Sequence, residues 1–192
     1  MMKSSLFQGY SKLLTKYPLT TKCTTSGLIA GCGDLISQSM LSSNKENGGM
    51  DINWTRFLTF TTLGTFYVAP VLHLWYGYLG KTIIGATPRA VFSRVFADQL
   101  IFAPLFVPSF FTMLSLLQGN VQELPQQLQN EWWKTVQVNW TLWIPAQMVN
   151  FRFVPLQYQV LFSNGVGLIW NIYLSHVSFR KMENEIEVKE NM

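Results

Sequence analysis

The chain has 192 residues, of which 48% are hydrophobic and only 12% are charged. That charged share is about half of what soluble domains carry, so the composition excludes an ordinary soluble domain and predicts an all-α integral membrane protein. The net charge of +4 comes from basic residues scattered at the ends of apolar segments. This pattern fits membrane topology better than nucleic-acid binding, which would need a basic stripe.

The first predicted element is a short amphipathic segment covering residues 1–20. Apolar side chains between residues 4 and 17 share one helical face: Leu6, Tyr10, Leu13, Leu14 and Tyr17. Four lysines and no acidic residue precede Asp34. We therefore expect a helix that lies on a membrane surface.

Four later stretches are apolar enough to span a bilayer, which takes about twenty residues. They are residues 21–41, 55–76, 95–117 and 156–176. They predict a single transmembrane domain over residues 21–176, built as a bundle of about four helices, and a charged tail over 177–192. Four spans place 10 of the 14 basic residues on the side of both termini, with Arg152 among the other four. This agrees with the positive-inside rule.

Residues 121–151 separate the third and fourth predicted spans. They are too polar for a lipid-exposed span, and the tryptophans Trp132, Trp133 and Trp140 suit an interfacial helix. The alternative is a fifth span, which would move the C-terminus to the other side and weaken the charge bias.

Polar side chains recur inside the predicted spans and are candidates for lining a pore. They are Asp34, Gln38, Asp98, Gln99, Gln157, Asn164 and Asn171. The same groups could instead only hydrogen-bond neighbouring helices, and both interpretations stay open. Gly27 and Gly31 form a GxxxG pair that favours close helix packing. Arg94 precedes Asp98 by one helical turn and could pair with it.

Two proline-containing segments predict irregular helix geometry. Pro104 and Pro108 predict a kink in the third span. Residues 143–155, WIPAQMVNFRFVP, predict a re-entry joint before the last span, opened by Trp143 and bracketed by Pro145 and Pro155. In this joint, Gln147 and Asn150 would bond exposed backbone groups, while Arg152 would reach the interface.

No catalytic or metal-binding motif stands out, so the sequence predicts no enzymatic activity, no cofactor and no metal. Cys23 and Cys32 are nine residues apart on one predicted helix and cannot bridge each other there. The expected partners are the lipid bilayer, small-molecule solutes and a second copy of the chain, with no nucleic acid.

Four ordered motifs run through nearly the whole chain: YPLTTKCTTSGLIAGCGDLISQ, PVLHLWYGYL, DQLIFAP and WTLWIPAQMVNFRFVPLQYQVLFSNGVGLIWNIYLS. They resemble those of the small four-span organelle proteins that include the Mpv-seventeen protein of mitochondria and the twenty-two-kilodalton peroxisomal membrane protein. Three positions depart from the family pattern. Ile144 separates Trp143 from Pro145, Ala69 replaces a glycine, and Gln159 stands where many members carry arginine. Arg152 is a candidate to replace that charge.

The resemblance implies a mitochondrial inner or peroxisomal membrane and a weakly selective pore or channel for small solutes and metabolites. The alternative function is a non-conducting membrane scaffold or organelle-maintenance protein.

Overall fold

The computed structural model describes residues 5–42 and 52–170, and all regular structure in these two ranges is helical. The helices are α1 (Ser5–Lys16), α2 (Pro18–Ser42), α3 (Trp54–Thr82), α4 (Pro88–Gln118), α5 (Leu124–Phe153) and α6, described over residues 159–170. Asn171 and the tail 177–192 lie outside the described residues. The all-helical class predicted from composition is thereby shown for the described ranges.

Local sequence signals explain where several helices begin and end. The side-chain oxygen of Asn53 accepts a hydrogen bond from the backbone N–H of Arg56 and caps α3. Thr87 caps α4 in the same way, followed by Pro88 at the first helical position. Gly119 ends α4 with a φ of 77°, a left-handed conformation that glycine adopts at little cost.

Helices α3 and α4 each contain one turn of π-helix, over Gly64–Val68 and Asp98–Phe102. Each π-turn is followed within two residues by a proline, Pro70 or Pro104. A proline ring clashes with the carbonyl four residues earlier, and a wider turn relieves that clash without ending the helix. The irregular geometry predicted in this region therefore takes the form of a π-turn before Pro104, and α4 continues through Pro108.

Consecutive long helices pack antiparallel. At one end of α2, Nζ of Lys22 lies 3.0 Å from Nδ1 of His73 in α3, and at the other end Gln38 bonds the backbone of Asn53. We call the Lys22 end of the bundle the near end and the Gln38 end the far end. Helices α3 and α4 are joined by the hydroxyls of Tyr67 and Ser109, 2.6 Å apart.

Helix α5 lies antiparallel to α4 over most of its length. Nε1 of Trp132 donates to the carbonyl of Pro104 at 3.0 Å, and Nε1 of Trp140 donates to the carbonyl of Gln99 at 2.8 Å. At the near end, the guanidinium of Arg152 donates to the carbonyl of Ala86, in the connector between α3 and α4. Arg152 therefore belongs to the near end with Lys22, not to the opposite side as the four-span count assumed.

The predicted break at Pro145 is wrong, because α5 runs without interruption for 30 residues, or about 45 Å. Pro145 is exposed on the helix surface, so the backbone carbonyl that it leaves unpaired needs no buried partner. The chain leaves the helix only at Val154 and Pro155, where a short 3-10 turn over Leu156–Tyr158 leads into α6. The joint is thus three to five residues long rather than thirteen.

Within residues 5–42 and 52–170, two helices are long and apolar enough to cross a membrane, α3 with a mean hydropathy of 1.4 and α4 with 2.1. Only 28% and 17% of these apolar stretches are buried inside the structure, whereas the core helix of a soluble protein would be mostly buried. Large apolar side chains such as Phe66, Leu74 and Leu105 point outward, with exposures of 77%, 71% and 67%. The count of four spans is not confirmed, since neither α2 nor the described part of α6 is both long enough and apolar enough to be counted as a membrane-crossing helix.

Candidate functional site

Asp98 lies at the centre of a buried hydrogen-bond network at the start of the π-turn in α4, with a residual exposure of 2%. Its Oδ1 accepts a hydrogen bond from Nε1 of Trp75 at 2.7 Å. Its Oδ2 accepts from Nε2 of Gln99 at 2.6 Å and from Nε2 of Gln147 at 3.0 Å. Three N–H groups therefore take the place of water around this carboxyl group.

Arg94 does not pair with Asp98, so the prediction from their spacing is wrong. Both Nε and Nη2 of Arg94 donate to the carbonyl oxygen of Ile83, the Nε contact at 3.1 Å. Ile83 directly follows the last turn of α3, where carbonyl groups have no partner within the helix. The guanidinium donates to one of these carbonyl groups and so links the connector to the first turns of α4.

Gln147 and Asn150 extend the network from Asp98 to α6. Nε2 of Gln147 also donates to the hydroxyl of Tyr76 at 2.8 Å, and Nδ2 of Asn150 donates to Oε1 of Gln147 at 2.8 Å. The hydroxyls of Tyr76 and Ser163 lie 2.8 Å apart, and Nδ2 of Asn150 reaches Ser163 at 3.3 Å. Side chains from α3, α4, α5 and α6 thus form one network. Of the role predicted for these two amides, bonding exposed backbone groups, one long contact is present, from Nδ2 of Asn150 to the carbonyl of Gln159 at 3.5 Å; their other contacts are those of the network.

A cavity of about 160 Å³ borders this network inside the bundle. Its polar lining includes Ser26, Tyr76, Asp98, Gln99, Gln147 and Asn164. Much of the remaining lining is aromatic, with Phe102, Phe106 and Phe110 among its residues, and Trp143 from α5 also lines the cavity. The volume suffices for several water molecules, each needing about 30 Å³ in the liquid.

Asp34 belongs to a separate cluster near the far end. Its Oδ1 forms an ion pair with Nε of Arg56 at 2.7 Å, and its Oδ2 accepts from Nε2 of Gln38 at 2.6 Å. Asp34 does not line the cavity beside Asp98, so the prediction that both carboxyl groups line one pore is wrong for Asp34. Sequence reasoning missed this partner because Arg56 lies on the next helix, twenty-two residues away.

The polar residues predicted to line a pore from the last span are only partly brought to the site. Asn164 donates to Oγ of Ser26 at 2.6 Å and lines the cavity. Gln157 is exposed in the 3-10 turn before α6, so it does not line the cavity as predicted. Gln159 is buried instead, with Nε2 donating to the carbonyl of Val154 at 3.2 Å.

Gly27 and Gly31 lie where α2 crosses α3. A Cβ atom on Gly27 would come within 2.0 Å of Oγ1 of Thr65, and one on Gly31 within 2.5 Å of Oγ1 of Thr61. Gly64 approaches from the facing helix, with its ideal Cβ position 3.1 Å from Cα of Gly27. Only glycine allows the two backbones to come this close.

Tyr76, Ser163 and Trp75 are site residues that sequence reasoning did not single out. Tyrosine, tryptophan and serine are common in apolar segments, and no spacing rule marks the ones that face a carboxyl group. The adjacent Trp75 and Tyr76 within PVLHLWYGYL were the only available signal, since both carry a polar group that needs a partner when buried.

Comparison with known sequences identifies a family to which the chain is similar. The profile of the Mpv17 / PMP22 family matches residues 115–175. PXMP2/4 family protein 2 of Dictyostelium discoideum is 33% identical over 175 residues, which cover 90% of each of the two chains. The chain belongs to the Mpv17 / PMP22 family. The resemblance that the sequence motifs indicated is therefore confirmed.

Relatives in this family are named for two organelle membranes. Peroxisomal membrane protein 2 of Bos taurus is 32% identical over 86% of each chain. Mitochondrial inner membrane protein Mpv17 of Danio rerio is 33% identical, covering 90% of this chain and 96% of the relative. No solved structure matches the chain at a significant level.

Proposed function

We propose that this member of the Mpv17 / PMP22 family is a non-enzymatic organelle membrane protein that forms a weakly selective pathway for small solutes. Relatives named for the peroxisomal membrane and the mitochondrial inner membrane support the location. The observation that carries the activity is the cavity inside the bundle, lined on one side by the Asp98 network. A solute pathway needs interior space with polar groups at its wall, whereas a purely adhesive bundle does not need the space.

Asp98 is the residue expected to set ion preference in such a pathway. It lines the cavity, and no described basic residue forms an ion pair with it. A carboxylate between low-dielectric walls attracts cations and repels anions. Asp34, by contrast, is paired with Arg56 outside the cavity, so its charge is expected to have little effect on permeation.

The test is solute and ion flux in liposomes that contain purified protein. Asp98→Asn should lower the preference for cations over anions at matched amounts of folded protein, because the charge is lost while the size is kept. Glu123→Gln is the control, since Glu123 is exposed before the start of α5 and its loss should leave the preference unchanged. Absence of flux from folded wild-type protein would contradict the pathway.

The rival function is a non-conducting membrane scaffold. The same network favours it in one respect, because the polar groups around Asp98 bond mainly to one another. Saturated interhelical hydrogen bonds are also what a bundle uses for cohesion. A scaffold would show no flux in the liposome assay, whereas its folding would still depend on the network.

The number of spans is part of the same proposal, and it depends on whether α5 crosses the bilayer. Four spans require residues 121–151 to lie at the interface. However, α5 contacts α4 at Pro104 through Trp132 and at Gln99 through Trp140, and it reaches the connector before α4 at Ala86 through Arg152. If α4 crosses the bilayer, a helix held against it along this length crosses too. The geometry therefore favours the alternative in which α5 is a further span.

Tags at the two ends would separate the two topologies in a protease-protection assay on intact organelles. With α5 crossing, the N-terminal and C-terminal tags should be digested from opposite sides of the membrane. Digestion of both tags from one side would support four spans and an interfacial α5. A tag in the connector at 84–87 should share the side of the N-terminus in either case and serves as the control.

A further inference from the structure

A second cavity, separate from the Asp98 network, lies at the near end of the bundle. It has a volume of about 520 Å³ and is lined by Lys22, His73, Gly77, Pro155, Leu156 and Gln157. These residues come from α2, from α3 and from the turn between α5 and α6. The cavity therefore lies where three parts of the fold meet, and we call it the near-end pocket.

Lys22 is the feature of this pocket that requires an explanation. Its side chain is only 6% exposed, although lysine is almost never buried without a partner of opposite charge. The contact it makes is with Nδ1 of His73, at 3.0 Å. Over residues 5–42 and 52–170, no carboxylate forms an ion pair with Lys22.

The contact with Lys22 also fixes how His73 can act. When the ammonium group donates to Nδ1, that nitrogen must be the unprotonated one, and the ring proton is on Nε2. The neutral imidazole stabilises the ammonium as a hydrogen-bond acceptor but does not neutralise its charge. It keeps one N–H donor that this contact does not use. The exposed amide of Gln157, at the rim of the pocket, supplies further donors.

In the described ranges, basic residues cluster at this end, and no acidic side chain lines the pocket. The basic residues described at the near end are Lys12, Lys16, Lys22, Lys81, Arg89, Arg94 and Arg152. The acidic residues in the described ranges are Asp34, Asp98, Glu123 and Glu131, and none of them lines the pocket or forms an ion pair with Lys22. The positive potential of this end attracts anions, and a partly enclosed site strengthens the attraction.

We propose that the near-end pocket binds a phosphate group, with Lys22 supplying the charge and His73 and Gln157 supplying N–H donors. A phosphate is the matching chemistry because it brings the missing negative charge and several acceptor oxygens. The group comes either from a phospholipid at the membrane surface or from a phosphorylated solute. Basic pockets between membrane helices on the positive side are typical sites for such headgroups. The site does not depend on conduction through the Asp98 cavity.

The experiment measures thermal unfolding of the full chain in dodecyl maltoside, a detergent without phosphate, because a ligand that binds the folded state raises the unfolding temperature. One arm titrates inorganic phosphate at constant ionic strength. The other arm titrates phosphatidylglycerol against monoolein, a lipid without phosphate. Stabilisation by inorganic phosphate identifies a soluble phosphate ligand, and stabilisation by phosphatidylglycerol alone identifies a lipid headgroup.

Variants assign the binding to the pocket. Lys22→Met should weaken phosphate or lipid binding about tenfold or more, as expected for the loss of a charge-assisted hydrogen bond. Lys16→Met removes an exposed lysine at the same end and should leave binding unchanged. Lys22→Arg keeps the charge and should keep part of the affinity. Gln157→Ala alters an exposed side chain, so it should fold normally and weaken binding severalfold even if Lys22→Met does not fold.

Two results would overturn the proposal. One is wild-type protein that neither phosphate nor phosphatidylglycerol stabilises beyond the matched salt or monoolein, which would mean that Lys22 is held neutral by burial. The other is equal binding by wild type, Lys22→Met and Gln157→Ala, or equal losses in Lys22→Met and Lys16→Met. Either of these last two patterns, in the comparison of the variants, would place the anion on the general basic surface instead of in the pocket.

Discussion

The contact between α2 and α3 gives the sharpest test of the packing. Gly27→Ala adds a single methyl group at the point where the two helices are closest. The added Cβ would lie 2.0 Å from Oγ1 of Thr65 and 3.1 Å from the carbonyl oxygen of Thr61. The first distance is impossible for non-bonded atoms, so either the threonine side chain or the helix must move.

The size of the effect follows from what has to move. Oγ1 of Thr65 donates to the carbonyl of Thr61 at 2.9 Å, so rotating the side chain away breaks that hydrogen bond. Shifting the helix instead disturbs the neighbouring contact, where Gly64 meets Ala30 and the carbonyl of Ser26. Overpacking of this kind costs about 1–3 kcal/mol. We expect Gly27→Ala to lower the free energy of unfolding by this amount.

The assay is reversible unfolding in mixed micelles, with Gly165→Ala as the matched control. A Cβ on Gly165 meets nothing within 4 Å, so this change should be neutral or stabilise the helix by up to about 1 kcal/mol. The double variant Gly27→Ala, Thr65→Ala removes the closest atom and should recover part of the loss. Equal stabilities of Gly27→Ala and Gly165→Ala, or no recovery in the double variant, would refute the close approach of α2 and α3.

Two further changes test the polar contacts. Arg56→Gln should lower the free energy of unfolding by about 1–3 kcal/mol, because it leaves Asp34, which is 3% exposed, without its ion-pair partner. Adding Asp34→Asn should restore part of the loss in the same unfolding assay. If the effects of the two substitutions were simply additive, the ion pair would be contradicted. Asn150→Ala should lower the free energy of unfolding by about 1–2 kcal/mol, because Gln147 and Ser163 each lose a hydrogen bond. Thr141→Ala, at an exposed position of the same helix, should lower it far less. Equal losses in the two variants would argue against the network.

The sequence by itself determined the class of the protein and the positions of most helices. A chain with 12% charged residues cannot cover a soluble surface, and runs of apolar residues can only be helical in a bilayer. The small residues Gly27 and Gly31 also marked the packed face of α2, since the need for close approach is a local property. Ordered motifs were specific enough to indicate the family.

Only the tertiary structure decided which polar groups meet. Asp98 could have paired with Arg94 by spacing, yet its partners Trp75 and Gln147 come from two other helices. Asp34 and Arg56 likewise find each other across a helix pair. Such contacts depend on the rotation and offset of packed helices, which side-chain volumes over the whole interface set together.

The proline segment at 143–155 also shows which features the sequence determined and which the tertiary structure decided. Proline disfavours helix locally, and that preference correctly placed the end of α5 near Pro155. At Pro145 the preference was overridden, because the helix on both sides is held by tryptophan and amide contacts to α4 and α3. The loss of one backbone hydrogen bond on an exposed face is small beside that packing. Proline therefore set a local preference against helix, and packing in the bundle determined whether the helix formed in spite of it.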